Sequence, residues 1–256
     1  MIRDGLVKKG VGVKAGFRWR GSGEIARIEG FSDAVFAFAI TLLVVSLEVP
    51  RTFTELMGSM RGFIAFAIGF VMLFQIWYAQ YVFFRRYGLQ DTTTLVLNGA
   101  LLFVVLFYVY PLKFLFTYLV NALSGASLQV ELANGHVERM VGDGEAGKLM
   151  VIYGIGYCAV FGVFLLLYVH ALRQASALEL TELERFDTKQ SILENTYNIL
   201  IGLASLAVVL IGGSRLAAWS GMTYVLIGPV MGISGAIMGK RRRRLADTAA
   251  VESHAG

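Results

Sequence analysis

Cysteine occurs once in this chain, at Cys158 inside an apolar run. That argues against an intrachain disulfide and a cysteine metal set, and leaves a small buried hydrophobe. Histidine is nearly as scarce: His136, His170 and His254 are scattered, and no pair has the four-residue spacing that sets two ligands on one helical face, which argues against zinc. Neither a glycine-rich phosphate loop followed by Lys and Ser or Thr nor a G-x-S-x-G turn occurs, so the chain offers no nucleophile or metal constellation for an enzyme. Proline occurs three times, with Pro111 and Pro229 placed inside apolar runs. Charge is thin at 16% of residues, against about a quarter in soluble domains.

What fills the chain instead is apolar. With 56% hydrophobic residues and a mean hydropathy of +0.64 over 256 residues, it reads as an integral membrane protein. Six apolar blocks, at about Ile25 to Val49, Gly62 to Phe84, Thr93 to Leu119, Lys148 to Leu172, Ile192 to Gly212 and Leu216 to Met238, each approach the roughly 20 residues that cross a bilayer as a helix. They lack two-residue alternation, so the expected fold is an all-α bundle of six transmembrane helices. Glycine pairs at 228 and 232 and at 235 and 239 have the spacing that lets membrane helices approach closely.

Basic residues in short loops stay cytoplasmic. Lys8, Lys9, Lys14, Arg18, Arg20 and Arg27 precede the first block, Arg85 and Arg86 follow the second, Arg173, Arg185 and Lys189 follow the fourth, and Lys240 to Arg244 follow the sixth. Both termini are therefore expected inside. The division is a basic segment 1–24, a membrane domain 25–239 and a basic tail 240–256. The net charge of +5 sits largely on these flanks, which points to anionic lipid headgroups rather than nucleic acid. No apolar core precedes Ile25, so a cleaved signal peptide is not expected.

The first block opens with charge: Arg27, Glu29 and Asp33 stand at the head of RIEGFSDAVFAFAITLLVV. Arg27 and Glu29 fall in the first turn or two, where an arginine snorkels and a glutamate meets the positive helix end. Asp33 lies deeper, ahead of a wholly apolar run, and needs a partner. At about 100° per residue, Phe38, Thr41, Leu42 and Val45 share one stripe, extended inward by Phe31 and Ala34, while Ser32 and Asp33 lie off it and should face neighbouring helices. Trp77 and Gln80, sharing a face of the second block, and Asn98 in the third are the candidate partners. Glu194, near the start of the fifth block with Asn195 and Asn198, reads as an interfacial residue or a proton-binding acid.

Arg27, Phe31, Ser32 and Asp33 spell R-x-x-x-F-S-D, and with the following AVFAFAITLLV, Trp77, Asn98 and Pro111 the chain resembles the transmembrane protein 175 family, endosomal and lysosomal potassium channels with bacterial relatives. The resemblance implies a homotetramer of six-helix subunits in the plasma membrane, its first helices lining a central pore for permeant potassium with no cofactor. It also implies a constriction at Phe38, Leu42 and Val45, with Thr41 as an adjacent polar layer; with its N-terminus inside, the helix puts the negative end of its dipole and Glu48 near the outer mouth. The same resemblance makes Arg27, Phe31, Ser32, Asp33, Trp77, Gln80 and Asn98 a network bracing the pore helix. Phe38 stands where the family usually has isoleucine, and Gln80 where relatives commonly have histidine. An apolar ring of this kind controls flow by excluding water. The alternative is a proton-coupled secondary transporter using an internal acid; the inverted repeats it calls for are not evident, since F-S-D occurs once.

Overall fold

The computed structural model describes residues 17–21, 26–45, 52–125, 127–132, 135–142 and 144–255. Lys8, Lys9, Lys14 and Glu48 lie outside them, as does the side chain of Val45.

Helix α1 runs Arg27–Val45, α2 Phe53–Tyr87 and α3 Thr92–Ser124; a two-stranded hairpin follows, β1 Gln129–Glu131 and β2 Val137–Arg139, and then α4 Glu145–Arg173 and α5 Glu182–Gly212. A 3₁₀ turn at Gly213–Leu216, the short α6 Ala217–Thr223 and a second 3₁₀ turn at Tyr224–Leu226 lead into α7, Ile227–Ala255. Backbone groups in hydrocarbon must be satisfied within each segment, which is why apolar runs of this length become helices.

Among the described residues, four helical stretches are by length and composition apolar enough to cross a membrane, Phe63–Tyr87, Thr92–Ser124, Glu145–Arg173 and Glu182–Asp247. The last of these folds back on itself. Asp187 near the start of α5 meets Arg242 of α7, and Ser205 meets Ser220 of α6, so the chain reverses at the 213–226 turns. Gly213, at φ +58, takes the left-handed backbone that makes the first break possible. The expected sixth block is thus not one straight helix from Leu216. It is broken by 3₁₀ turns, and its helix continues through the basic run to Ala255.

Side-chain pairs fix the packing. Asp33 with Trp77 sets α1 antiparallel to α2, Gln80 with Asn98 sets α2 against α3, and Asp91 with His170 sets α3 against α4. Tyr157 with Asn198 does the same for α4 and α5. Glycine makes room for side chains of the neighbouring helix: a Cβ on Gly156 would lie 2.2 Å from the Tyr108 ring and one on Gly202 2.6 Å from the Cys158 sulfur. The glycine pairs of α7 do not serve this purpose, since a Cβ at 228, 232, 235 or 239 meets open space. Pro111 is accommodated inside α3, and Pro229 sits in the first turn of α7, where its missing N–H costs no helical bond.

The hairpin is the one departure from the all-helical expectation among the described residues. It pairs Gln129 with Arg139, Val130 with Glu138 and Glu131 with Val137. It lies at the opposite end of the bundle from Arg20, Arg85, Asp91, His170, Glu184 and Arg242, which gather at a basic end.

Candidate functional site

Helix α1 has two unlike faces. Ile28, Ser32, Phe36, Ala39 and Leu43, at helical spacing, are buried against α2 and α3. On the other side Phe31 and Phe38 are 64% and 56% exposed, and Ala34 and Thr41 are uncovered beside them. Leu42 is half-buried at the edge of that face. The Thr41 hydroxyl donates to the Ala37 carbonyl at 2.9 Å, one turn back, which leaves its lone pairs turned outward.

The polar residues on the packed side form a directional chain. The Gln80 amide donates to the Asn98 carbonyl oxygen, the Asn98 amide donates to Ser32 Oγ at 2.9 Å, and the Ser32 hydroxyl donates to the Ile28 carbonyl at 2.7 Å. All three side chains are buried, so each amide or hydroxyl finds its partner inside the bundle rather than in water. Asp33, one residue on, is exposed but accepts from the Trp77 indole at 2.7 Å. Trp77 itself stacks on Tyr81 and packs at a tilt against Phe74 along α2. Of the residues singled out in the sequence, Ser32, Asp33, Trp77, Gln80 and Asn98 are therefore brought together, and Phe31, Phe38 and Thr41 lie on the opposite side of α1. Arg27 is exposed on the first turn, and Glu29 accepts from the Ala26 backbone N–H at 3.1 Å, closing that turn.

Several polar contacts were not anticipated. Lys113 of α3 donates to the Leu43 carbonyl at 3.1 Å, near the last described turn of α1. At the basic end His170 lies 2.9 Å from Asp91, which caps α3 through the Thr93 backbone N–H and accepts from the Thr94 hydroxyl at 2.7 Å. Asp187, fully buried, takes Arg242 Nε on both carboxylate oxygens at 2.8 and 3.1 Å. Glu184, 1% exposed, is held by the Arg20 guanidinium at 2.6 Å. A sequence signal for Glu184 exists: Thr181 and Glu184 form a capping box that starts α5. Among the described residues no group of His, Cys, Asp and Glu is placed to hold a metal ion.

A bundle of long apolar helices, each turning its polar side chains onto its neighbours, is a polytopic membrane protein. A model of the family described as the endosomal/lysosomal potassium channel TMEM175 matches residues 27–108, the stretch that holds the α1 network. The chain is 44% identical over 241 residues to a protein of Marivirga tractuosa named potassium channel, covering 92% of this chain and 96% of that one. It is 33% identical over 106 residues to a potassium channel of Chamaesiphon minutus, covering 38% of this chain and 52% of that one. A crystal structure of a variant of the potassium channel MtTMEM175, in complex with a nanobody fusion, matches with TM-score 0.76 and 43% identity over 90% of this chain and 99% of that one. The fold is also shared with a TMEM175 homologue from Chamaesiphon minutus, at TM-score 0.55 over 83% of this chain and 99% of that one. The chain belongs to the TMEM175 family, which is a channel family and not an enzyme class.

Proposed function

We propose that this chain is a potassium-permeable channel that conducts along the uncovered face of α1. The observation that carries the reading is the division of α1, which sends Ser32 into its neighbours and leaves Phe31, Ala34, Phe38 and Thr41 uncovered. One α1 per chain does not enclose a path, so the reading includes a homotetramer of six-pass subunits with four such faces around a centre. Phe38, Leu42 and Val45 then form the apolar constriction. It excludes water, because an ion sheds its hydration shell against hydrocarbon only at a large penalty. The outward lone pairs of the Thr41 hydroxyls are the oxygen ligands next to it. Ser32, Asp33, Trp77, Gln80 and Asn98 brace the helix that carries the constriction within the subunit, and Arg27 and Phe31, exposed on the single chain, complete the network against a neighbouring subunit.

The division into a basic segment 1–24, a channel domain 25–239 and a basic tail 240–256 belongs to the same reading, with α7 running through the last boundary. So do a plasma-membrane location and cytoplasmic termini. Anionic lipid headgroups are the partner for the tail. Arg242 is turned to Asp187, while Lys240, Arg241 and Arg243 are exposed just beyond the apolar part of α7.

The test is potassium flux into liposomes holding the purified protein, comparing wild type with Phe38→Ala and Asp33→Ala. Passive flux that rises with Phe38→Ala, while Asp33→Ala chiefly lowers the yield of oligomer, is the expected result. Flux that saturates, needs a second gradient and vanishes with Asp33→Ala in an intact oligomer is the transporter result and overturns the channel reading.

A further inference from the structure

Ahead of α1, residues Phe17 to Gly21 form an arm laid across the basic end. Phe17 is buried, edge-on to Tyr87 with ring centroids 5.7 Å apart, under the Arg86 guanidinium at 5.1 Å. The backbone N–H groups of Arg20 and Gly21 both donate to the Arg85 carbonyl at 3.2 Å. The turn after α2 is shaped for this approach: Gly88 has φ +61, and a Cβ there would come 2.9 Å from the Arg20 carbonyl oxygen.

From that seat Arg20 reaches the turn between α4 and α5. Its Nε donates to the Leu178 carbonyl at 2.6 Å, Nη1 to Glu184 Oε1 at 3.0 Å and to the Arg18 carbonyl at 3.2 Å, and Nη2 to Glu184 Oε2 at 2.6 Å and the Glu179 carbonyl at 3.1 Å. Every guanidinium nitrogen is used. Glu184 also accepts from the backbone N–H groups of Arg18 at 2.7 Å and Thr181 at 3.0 Å. A two-pronged pair so enclosed is a fixed point, not a sliding surface contact.

The fixed point bears on α1. α1 itself packs against α2 and α3, and only residues 22–25 separate the arm from Ala26, a link of at most about 3.6 Å per residue. The arm therefore ties the inner end of α1 to the half of the bundle built from α4 and α5. We propose that Arg20 and Glu184 are positioning residues for conduction: a latch that holds the inner end of α1 in place and so sets how often the constriction opens. This rests on the reading that α1 lines the ion path.

Single-channel recording of the full chain in planar bilayers separates opening from conductance. The double variant Arg20→Gln with Glu184→Gln removes both charges together and leaves no buried charge unpaired. It is expected to raise open probability roughly five- to tenfold, at unchanged unitary conductance and unchanged elution on size exclusion. Glu184→Gln alone should raise open probability as well but also lower the thermal stability of the channel, since it leaves the Arg20 charge without its partner. Arg20→Lys, which keeps the charge but loses the fork, should fall between. Phe38→Ala, in parallel, should change unitary conductance. Unchanged open probability in an intact double variant, with Phe38→Ala altering conductance, overturns the latch alone. Unchanged conductance in Phe38→Ala overturns the α1 reading, and the latch with it.

Discussion

Two polar networks hold this bundle, and they work by different physics. The one inside the first three helices, Gln80 to Asn98 to Ser32, is made of neutral groups that hand donors to acceptors in one direction. The one at the basic end is ionic, Arg20 with Glu184 and Arg242 with Asp187, and the hydrogen-bonded pair of His170 and Asp91 lies at its edge. Losing a member of the first leaves a hydrogen bond unmade. Losing a member of the second leaves a charge in a place built to exclude water. The bundle is thus expected to tolerate damage at its centre better than at its basic end, the reverse of what depth alone suggests.

The largest effect expected from breaking that contrast is at Asp187, whose carboxylate is fully buried against Arg242. Asp187→Ala should cost about 3–5 kcal/mol in thermal unfolding in detergent. Joining it to Arg242→Met should restore most of the loss, because no charge is then orphaned. Next comes Asn98→Ala, which strands the Gln80 amide and removes the donor to Ser32. A loss of about 1–3 kcal/mol is expected, and a second substitution, Gln80→Leu, should add little to it.

The smallest effect is at Asp91, on the wetter edge of the ionic network. Burial pushes its carboxyl up, but the hydrogen bonds from Thr94 and His170 outweigh it and hold the group below the ordinary 3.8. The stability it contributes is therefore present above that value and lost as pH falls through the lower folded one. Titrating from pH 6 toward 3 should cost wild type more than Asp91→Asn, by less than about 1 kcal/mol for a pair this exposed. A pH response larger than the Asp187→Ala effect would erase the distinction between the two networks.

The same contrast explains what was legible in the sequence. Ser32, Asp33, Trp77, Gln80 and Asn98 are polar residues in apolar surroundings, and helical arithmetic gives their direction, so the chain itself announces them. Phe31, Phe38 and Thr41 followed from the same wheel. The ionic network was hidden because its members sit among other charges at helix ends, where a basic residue reads as an interfacial one. Arg20 meets Glu184 across 164 residues of sequence, and no local pattern pairs them. The T-x-x-E of Thr181 and Glu184 marked a helix start, though not the partner. The hairpin had a better signal, Asn134-Gly135 between V-E-L and V-E-R, which the length of the hydrophobic blocks overshadowed. The glycine spacing in α7 misled, because close approach depends on what lies opposite, and Gly156 and Gly202 have Tyr108 and Cys158 there.

The central claim, that potassium passes along the uncovered face of α1, is tested most directly by thiol modification. With Cys158 replaced by serine, single cysteines are placed at Phe38 and at Leu200, the latter 55% exposed on α5. Each is treated with a charged, water-soluble thiol reagent while potassium flux is followed. The smaller cysteine opens the apolar ring at this layer to water, and reagents of this kind react where water reaches, so flux through Phe38→Cys should be blocked and flux through Leu200→Cys left unchanged. Equal block at both positions, or none at Phe38→Cys while flux persists, would contradict the claim.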